Sequence, residues 1–395
     1  MAKTKKNNDT DDDFYAALAK ETGGKMLKGI GSSRYFIDTG NLSLNYLCSG
    51  KFFGGGIPTG ISEFFGPSMS AKTLLGYTVL GACQKMNGYA ILLDCERQAN
   101  ENFAVTAGHV DENKLVVQSP ITIEQVGAKI RSMTKMIREK KGNETPILFV
   151  WDSIGVTPCE REYREIQLPE KYTKEQFKKI VGANEQPGER AKVAGKILRQ
   201  INPFLDDNNA SLFVINQTRS SIGTYGKDET TAGGGKALEF YANCRVRTSA
   251  AKHIEDKKRE VAIGVNLRFA NKKSRSVAPF LKTEGIQLFF DKGINPISGL
   301  LSVLIAAGRV ENVSAGNYAV VGTDIKFKAS KERNDIPIDV LYQYPALVDA
   351  TDKDQIKQYL GVFAEAIELS NSDKIAEKII NEDEDDDMEF LEELS

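Results

Sequence analysis

The sequence predicts an α/β fold: a mainly parallel central sheet with helices on both faces, preceded by an N-terminal helical segment and followed by a small α+β domain. Three observations carry this. Four short runs, ISEFF at 61–65, YAILLD at 89–94, ILFVWD at 147–152 and SLFVIN at 211–216, are mainly apolar, as strands buried on both faces require. Helical patterns over Thr73–Met86 and Ile121–Lys140 alternate with them. Beyond Ile297 the spacing changes to a mixed pattern in which neither period dominates.

In chain order, residues 1–12 are polar and charged and read as a disordered start, with a helix over Asp13–Lys28; 1–34 is expected to serve oligomerisation. The core is expected over 35–296. Its later runs, CRVRTS at 244–249, VAIGVNLRFA at 261–270 and IQLFFD at 286–291, have short connections and read as antiparallel extensions of the sheet. A small domain is expected over 297–381, with helices near Leu300–Ala307 and Lys353–Leu369, and 382–395 as an acidic disordered tail. Two polar stretches inside the core, Cys159–Gly188 and Arg219–Gly235, are too long to be incidental connections. No internal repeat is visible.

With 395 residues, 41% hydrophobic and 27% charged, the chain can bury one large core and a smaller second one. No apolar run approaches the roughly 20 residues of a bilayer span, and no apolar region follows the N-terminal lysines. This predicts a cytoplasmic protein without membrane contact. Cys48, Cys83, Cys95, Cys159 and Cys244 show no C-x-x-C spacing, which argues against structural zinc and fits a reducing compartment. Glu382–Ser395 carries nine acidic and no basic residues; the rest of the chain holds 52 basic and 45 acidic residues, a net charge of +7. Such asymmetry points either to a nucleic-acid partner for which the tail competes or to a solvated solubility tail.

The ISEFF strand runs directly into Gly66-Pro67-Ser68-Met69-Ser70-Ala71-Lys72-Thr73 and then a helix, the context of a phosphate-binding loop. Backbone N–H groups and the helix N-terminus cradle phosphates there, the lysine reaches the outer phosphates, and the threonine hydroxyl coordinates Mg2+. The usual second glycine is Ala71, the smallest departure from a residue chosen for backbone freedom. Asp152 ends its strand where a carboxylate can hold the magnesium shell, and Asp94 and Glu96 follow another strand end, where a carboxylate can act as general base on water. ATP hydrolysis follows from this spacing.

Longer strings narrow the reading. IDTGNLSLNYL at 37–47, GGGIPTGISEFFGPSMSAKT at 54–73, LLDCE at 92–96 and VWDSIGVTP at 150–158 resemble the RecA recombinase family in order and spacing. INQTRSSIGTYGKDETTAGGGKALEFYANCRVRTS at 215–249 and VAPFLKTEGIQLFFDKGINPISGLL at 277–301 continue the resemblance, which spans about residues 35–305. It implies a RecA-like P-loop ATPase core, with nucleotide contacts from Gly66 through Thr73. Glu96 is then the hydrolytic base and Asp152 the magnesium-linked carboxylate. Phe103 falls where the family stacks a tyrosine on adenine, and Gln217 where a glutamine senses the γ-phosphate.

The resemblance further implies that Lys273 and Arg275 reach a neighbouring subunit's ATP. Arg219, Ser220, Ile222, Gly223, Gly233 and Gly234 fall in its second DNA-binding loop, with Ser220 in place of a methionine and one glycine more than usual at Gly233–Gly235. Arg190 matches an arginine near backbone phosphates, whereas the Cys159–Gly188 stretch does not align. Ala71 and these loop changes suggest a divergent, phage-encoded member resembling recombinases of the UvsX type, working in the host cytoplasm; a cellular member would be nucleoid-associated.

The function implied is ATP-dependent homologous recombination: a helical homo-oligomeric filament on single-stranded DNA that pairs with homologous duplex DNA and exchanges strands. Single-strand-binding and loader proteins would be further partners. A hexameric helicase of the same fold and a non-catalytic P-loop adaptor are the alternatives. Strand-exchange activity separates the first, and DNA-stimulated hydrolysis the second.

Overall fold

The structure, a computed structural model, describes residues 11–22, 33, 35–166, 188–220, 229–231, 236–256, 259–278, 281–330 and 334–364. Two compact units are present, Met1–Arg34 and Tyr35–Ser395. In the first, α1 spans Asp11–Glu21 and Thr22 is a turn, so the helix expected over Asp13–Lys28 starts two residues earlier and ends at Glu21; residues 23–28 lie outside the described residues.

In the second unit, β1 (Phe36–Ile37) and β2 (Ile57–Pro58) pair antiparallel and enclose α2 (Leu42–Ser49). Asn41 caps that helix by accepting from the Leu44 N–H, and Gly50 closes it in the left-handed conformation. There follow β3 (Gly60–Gly66), α3 (Lys72–Lys85), β4 (Tyr89–Asp94), α4 (Glu101–Thr106), β5 (Leu115–Gln118), α5 (Ile123–Lys141) and β6 (Ile147–Asp152). Next come α6 (Glu160–Ile166), α7 (Glu189–Asp207), β7 (Ala210–Ser220), β8 (Glu229–Thr231), α8 (Ala237–Tyr241), β9 (Cys244–Asp256), β10 (Val261–Ser274), β11 (Lys282–Phe289) and β12 (Gly293–Ile294).

The main sheet has the order β12-β11-β10-β9-β3-β7-β6-β4-β5, with β8 paired to β7. The strands from β9 to β5 are parallel, and β10, β11 and β12 continue antiparallel. One expectation is corrected here: CRVRTS does not enter as an antiparallel extension. It forms β9, which pairs parallel to β3, because α8 lies in the crossover from β7 and returns the chain in the same direction. The other two runs, in β10 and β11, do pair antiparallel as expected.

The apolar runs have the predicted consequence. Every residue of β3 and β6 is buried, and alternate residues feed two clusters on opposite faces. Leu92, Val150, Phe213 and Phe64 pack with Leu74 and Leu75 of α3, while Ile91, Trp151 and Val214 pack with Val126 of α5 and Leu198 of α7. Because α3 and α5 cover opposite faces, a crevice opens at the C-terminal ends of the central strands.

The C-terminal part holds α9 (Leu300–Ala306), a three-stranded sheet of β13 (Val310–Ser314), β14 (Asn317–Val320) and β15 (Lys326–Lys328), then α10 (Ile338–Gln343) and α11 (Lys353–Leu360). Leu304, Leu341 and Ile356 belong to the same hydrophobic cluster as α3. The last expected helix, over Lys353–Leu369, ends as an α-helix at Leu360, continues as a 3-10 turn over Gly361–Phe363, and its final residues lie outside the described residues.

Candidate active site

The crevice collects the ends of four strands. β3 delivers Gly66, β4 Asp94, β6 Asp152 and β7 Gln217; the register sets Gly66 level with Gln217 and Asp94 level with Asp152. Gly66 is required by close packing, since a Cβ there would lie 2.1 Å from the backbone oxygen of Thr248 in β9.

The loop from Gly66 to α3 is sharply wound. Met69 and Ala71 both take positive φ, 62° and 57°, and Ala71 is the N-cap residue of α3. The backbone therefore keeps the left-handed conformation expected of glycine although the side chain is a methyl. Ser70 Oγ donates to Pro67 O at 2.8 Å and shares a 2.8 Å contact with Thr248 Oγ1. Lys72 Nζ folds back over the loop, donating to Pro67 O at 2.6 Å, Ser70 Oγ at 3.2 Å and Gly66 O at 3.3 Å. Burial lowers its pKa, opposed by the carboxylates of Asp152 and Glu96.

Thr73 Oγ1 donates to Asp152 Oδ2 at 2.7 Å, so the expected metal-binding hydroxyl and carboxylate already meet. Burial pushes the Asp152 carboxyl up to about 6, with Glu96 and Asp94 adding repulsion and Thr73 and Lys72 acting against it. Glu96 Oε1 accepts from Ser153 Oγ at 2.7 Å and from Gln217 Nε2 at 3.4 Å. Asp94, by contrast, is occupied structurally, accepting from the backbone of Gln98 and Ala99. Ser153 was not singled out in the sequence; its position directly after the strand-ending aspartate was the available signal.

The residues present fit ATP and magnesium on two counts. Lys72, 7% exposed, donates to oxygens of its own loop, a cation placed where phosphate oxygens would replace carbonyls. Asp152, equally buried, has its carboxyl pushed up chiefly by burial and further by the Glu96 and Asp94 carboxylates, and a divalent cation beside it would favour its ionised form.

The remaining predicted residues are more dispersed. Phe103 lies on α4, 40% exposed, beyond the end of β4. Arg190, in the first turn of α7, donates from Nη1 to Gly155 O at 3.2 Å, in the turn after Asp152. β7 continues past Gln217 to Ser220 and pairs antiparallel with β8, Arg219 opposite Thr230 and Ser220 opposite Glu229. Arg219–Gly235 is therefore not loop throughout: its stem is a β-ladder. Ile222, Gly223, Gly233 and Gly234 lie outside the described residues. Lys273 ends in β10 away from the crevice, its Nζ donating to the backbone oxygens of Glu239 at 2.6 Å and Phe240 at 2.8 Å, and Arg275 follows that strand.

A family model for the RecA N-terminal domain matches residues 22–153 and 176–295. The chain belongs to the RecA family. It is 29% identical over 299 residues to Protein RecA of Thermus thermophilus, covering 75% of this chain and 78% of that protein. Protein RecA of Ureaplasma parvum is 30% identical over 265 residues, covering 67% and 71%. Protein RecA of Thermus aquaticus is 29% identical over 288 residues, covering 72% and 75%. The chain is thus a RecA-family protein of DNA recombination and strand exchange. The family is one of DNA-dependent ATPases that use ATP with Mg2+, bind DNA and self-assemble. No described helix is long and apolar enough to cross a membrane.

Proposed function

We propose that this chain hydrolyses ATP in the crevice and that nucleotide state sets the order of a DNA-binding hairpin. The observation that carries the reading is the position of Gln217. Its amide reaches Glu96 at 3.4 Å, and the same strand runs on unbroken through Arg219 and Ser220 into the β8 ladder. A displacement of Gln217 is thereby a displacement of the hairpin stem.

Lys72 and the backbone of Gly66–Thr73 bind the phosphates, and Thr73 and Asp152 hold the magnesium ion. The ion, when bound, neutralises phosphate charge and polarises the transferring group. Glu96 accepts a proton from the attacking water: Ser153 and Gln217 both donate to Oε1, which fixes the carboxylate. Phe103 offers its exposed ring to the base. Arg190, Arg219, Ser220, Ile222, Gly223, Gly233 and Gly234 contact the DNA, where backbone N–H groups and arginines bind phosphates without reading sequence. Lys273 and Arg275 complete the ATP site of the adjoining protomer, supplying positive charge to the phosphoryl group in trans. Single-strand-binding and loader proteins act as further partners.

Glu96→Gln is expected to retain ATP binding and lose DNA-stimulated hydrolysis by about 10²- to 10⁴-fold, leaving filaments that persist on DNA. Lys72→Ala is expected to lose nucleotide binding itself. Equal turnover by Glu96→Gln and the unmodified protein would remove Glu96 from the mechanism.

A further inference from the structure

Four adjacent strands carry polar side chains in one row across the sheet. Glu63 of β3 is the register partner of Arg245 of β9, and Arg245 is the partner of Lys273 of β10. Asn216 of β7, two residues beyond the partner of Glu63, joins them on the same face. Asn216 Nδ2 donates to Glu63 Oε1 at 2.8 Å, and Arg245 Nε donates to Glu63 Oε2. Glu63 has no exposed surface and Arg245 is 8% exposed, stacked 4.8 Å over the Phe65 ring.

A buried pair of this kind is a poor device for stability, because desolvation offsets the attraction and apolar residues of similar volume serve as well. It does fix where a guanidinium sits. The outer edge of Arg245 reaches the Glu239 carboxylate at 3.5 Å, and the backbone oxygen of that same Glu239 accepts from Lys273 Nζ. An ammonium has three donors; the oxygens of Glu239 and Phe240 take two and leave one for a phosphate.

We propose that Glu63 and Arg245 are positioning residues for Lys273, the buried pair anchoring the α8 segment that holds the lysine for its task in the neighbouring protomer. This rests on the proposal that Lys273 and Arg275 act in trans. It assigns a catalytic purpose to two charges that lie outside the phosphate loop.

Mixed filaments separate the two ideas. Protein carrying Lys273→Ala/Arg275→Ala keeps only an intact phosphate loop, and protein carrying Lys72→Ala keeps only intact basic residues, so on single-stranded DNA hydrolysis arises only at their junctions. Glu63→Gln/Arg245→Met is then added to one partner; the glutamine retains an acceptor for Asn216. Placed in the Lys72→Ala partner, it is expected to lower junction kcat by about 10- to 100-fold with little change in KM for ATP. Placed in the other partner, it is expected to leave the recovery intact. A purely structural role would lower both. Glu239→Gln, on a side chain 49% exposed, applies the same test without touching the buried pair and should show the same one-sided loss. No recovery in the parent mixture overturns the action in trans. Recovery that is unaffected by either variant, or lost equally from both sides, overturns the positioning role.

Discussion

Asp152→Asn should make the nucleotide-free protein more stable while abolishing magnesium-dependent turnover. The carboxyl is held at about 6 against an ordinary 3.8, chiefly by burial and then by Glu96 and Asp94. The folded protein therefore binds a proton that the unfolded chain has already released, so stability falls as pH rises from about 3.8 to 6 and stays reduced above that. At about 1.4 kcal/mol per pH unit, the ionised group costs roughly 3 kcal/mol at neutral pH. Some of this is offset because asparagine accepts more weakly from Thr73 than a carboxylate does, which leaves a net gain of about 2 kcal/mol. Urea unfolding at pH 7.5 should show the variant more stable by that amount, with the gap closing as pH is lowered toward 4. Magnesium and ATP should stabilise the unmodified protein and have little effect on the variant. A variant no more stable at pH 7.5, or a gap independent of pH, would refute the argument that these carboxylates are strained in wait for a cation.

Ala71→Gly should stabilise the nucleotide-free protein by about 1 kcal/mol: a left-handed alanine costs roughly 1–2 kcal/mol, and glycine returns part of it as unfolded-chain entropy. A lower urea midpoint would contradict this. Arg219→Ala should weaken single-stranded DNA binding across all sequences and reduce the salt slope by about 1, with ATP binding in the absence of DNA unchanged; an unaltered slope would remove the phosphate contact. Deleting Glu382–Ser395 should raise affinity for duplex DNA most at low salt, since screening confines the competition to about 8 Å at physiological ionic strength. Equal low-salt affinities would leave the tail a solubility element.

The strands that build the crevice are legible because they are buried on both faces, so ISEFF and ILFVWD admit few other readings. The phosphate loop is equally legible, since its chemistry depends on local spacing. The direction of β9 is not, because a hydrophobic pattern has no polarity and only the crossover through α8 decides it. The β8 stem is hidden for a different reason: Glu229–Thr231 pairs through its backbone, and a polar trio carries no alternation to reveal it. Glu63 and Arg245 are 182 residues apart; Glu63 is the one charge in ISEFF, and Arg245 is one of two arginines in CRVRTS. A carboxylate inside the wholly buried β3 is the one hint, since a buried charge requires a partner. Left-handed geometry at Ala71 also shows that a departure from a motif can change the residue without changing the backbone it must adopt.

The most direct test of gating through β7 is single-stranded DNA affinity measured with a non-hydrolysable ATP analogue and with ADP, in the unmodified protein and in Gln217→Ala. If the amide beside Glu96 transmits nucleotide state along the strand to Arg219, the analogue tightens DNA binding in the unmodified protein. Gln217→Ala should bind the analogue normally and lose that gain. The same analogue-dependent gain in Gln217→Ala would contradict the proposed route from the ATP crevice to the DNA-binding hairpin.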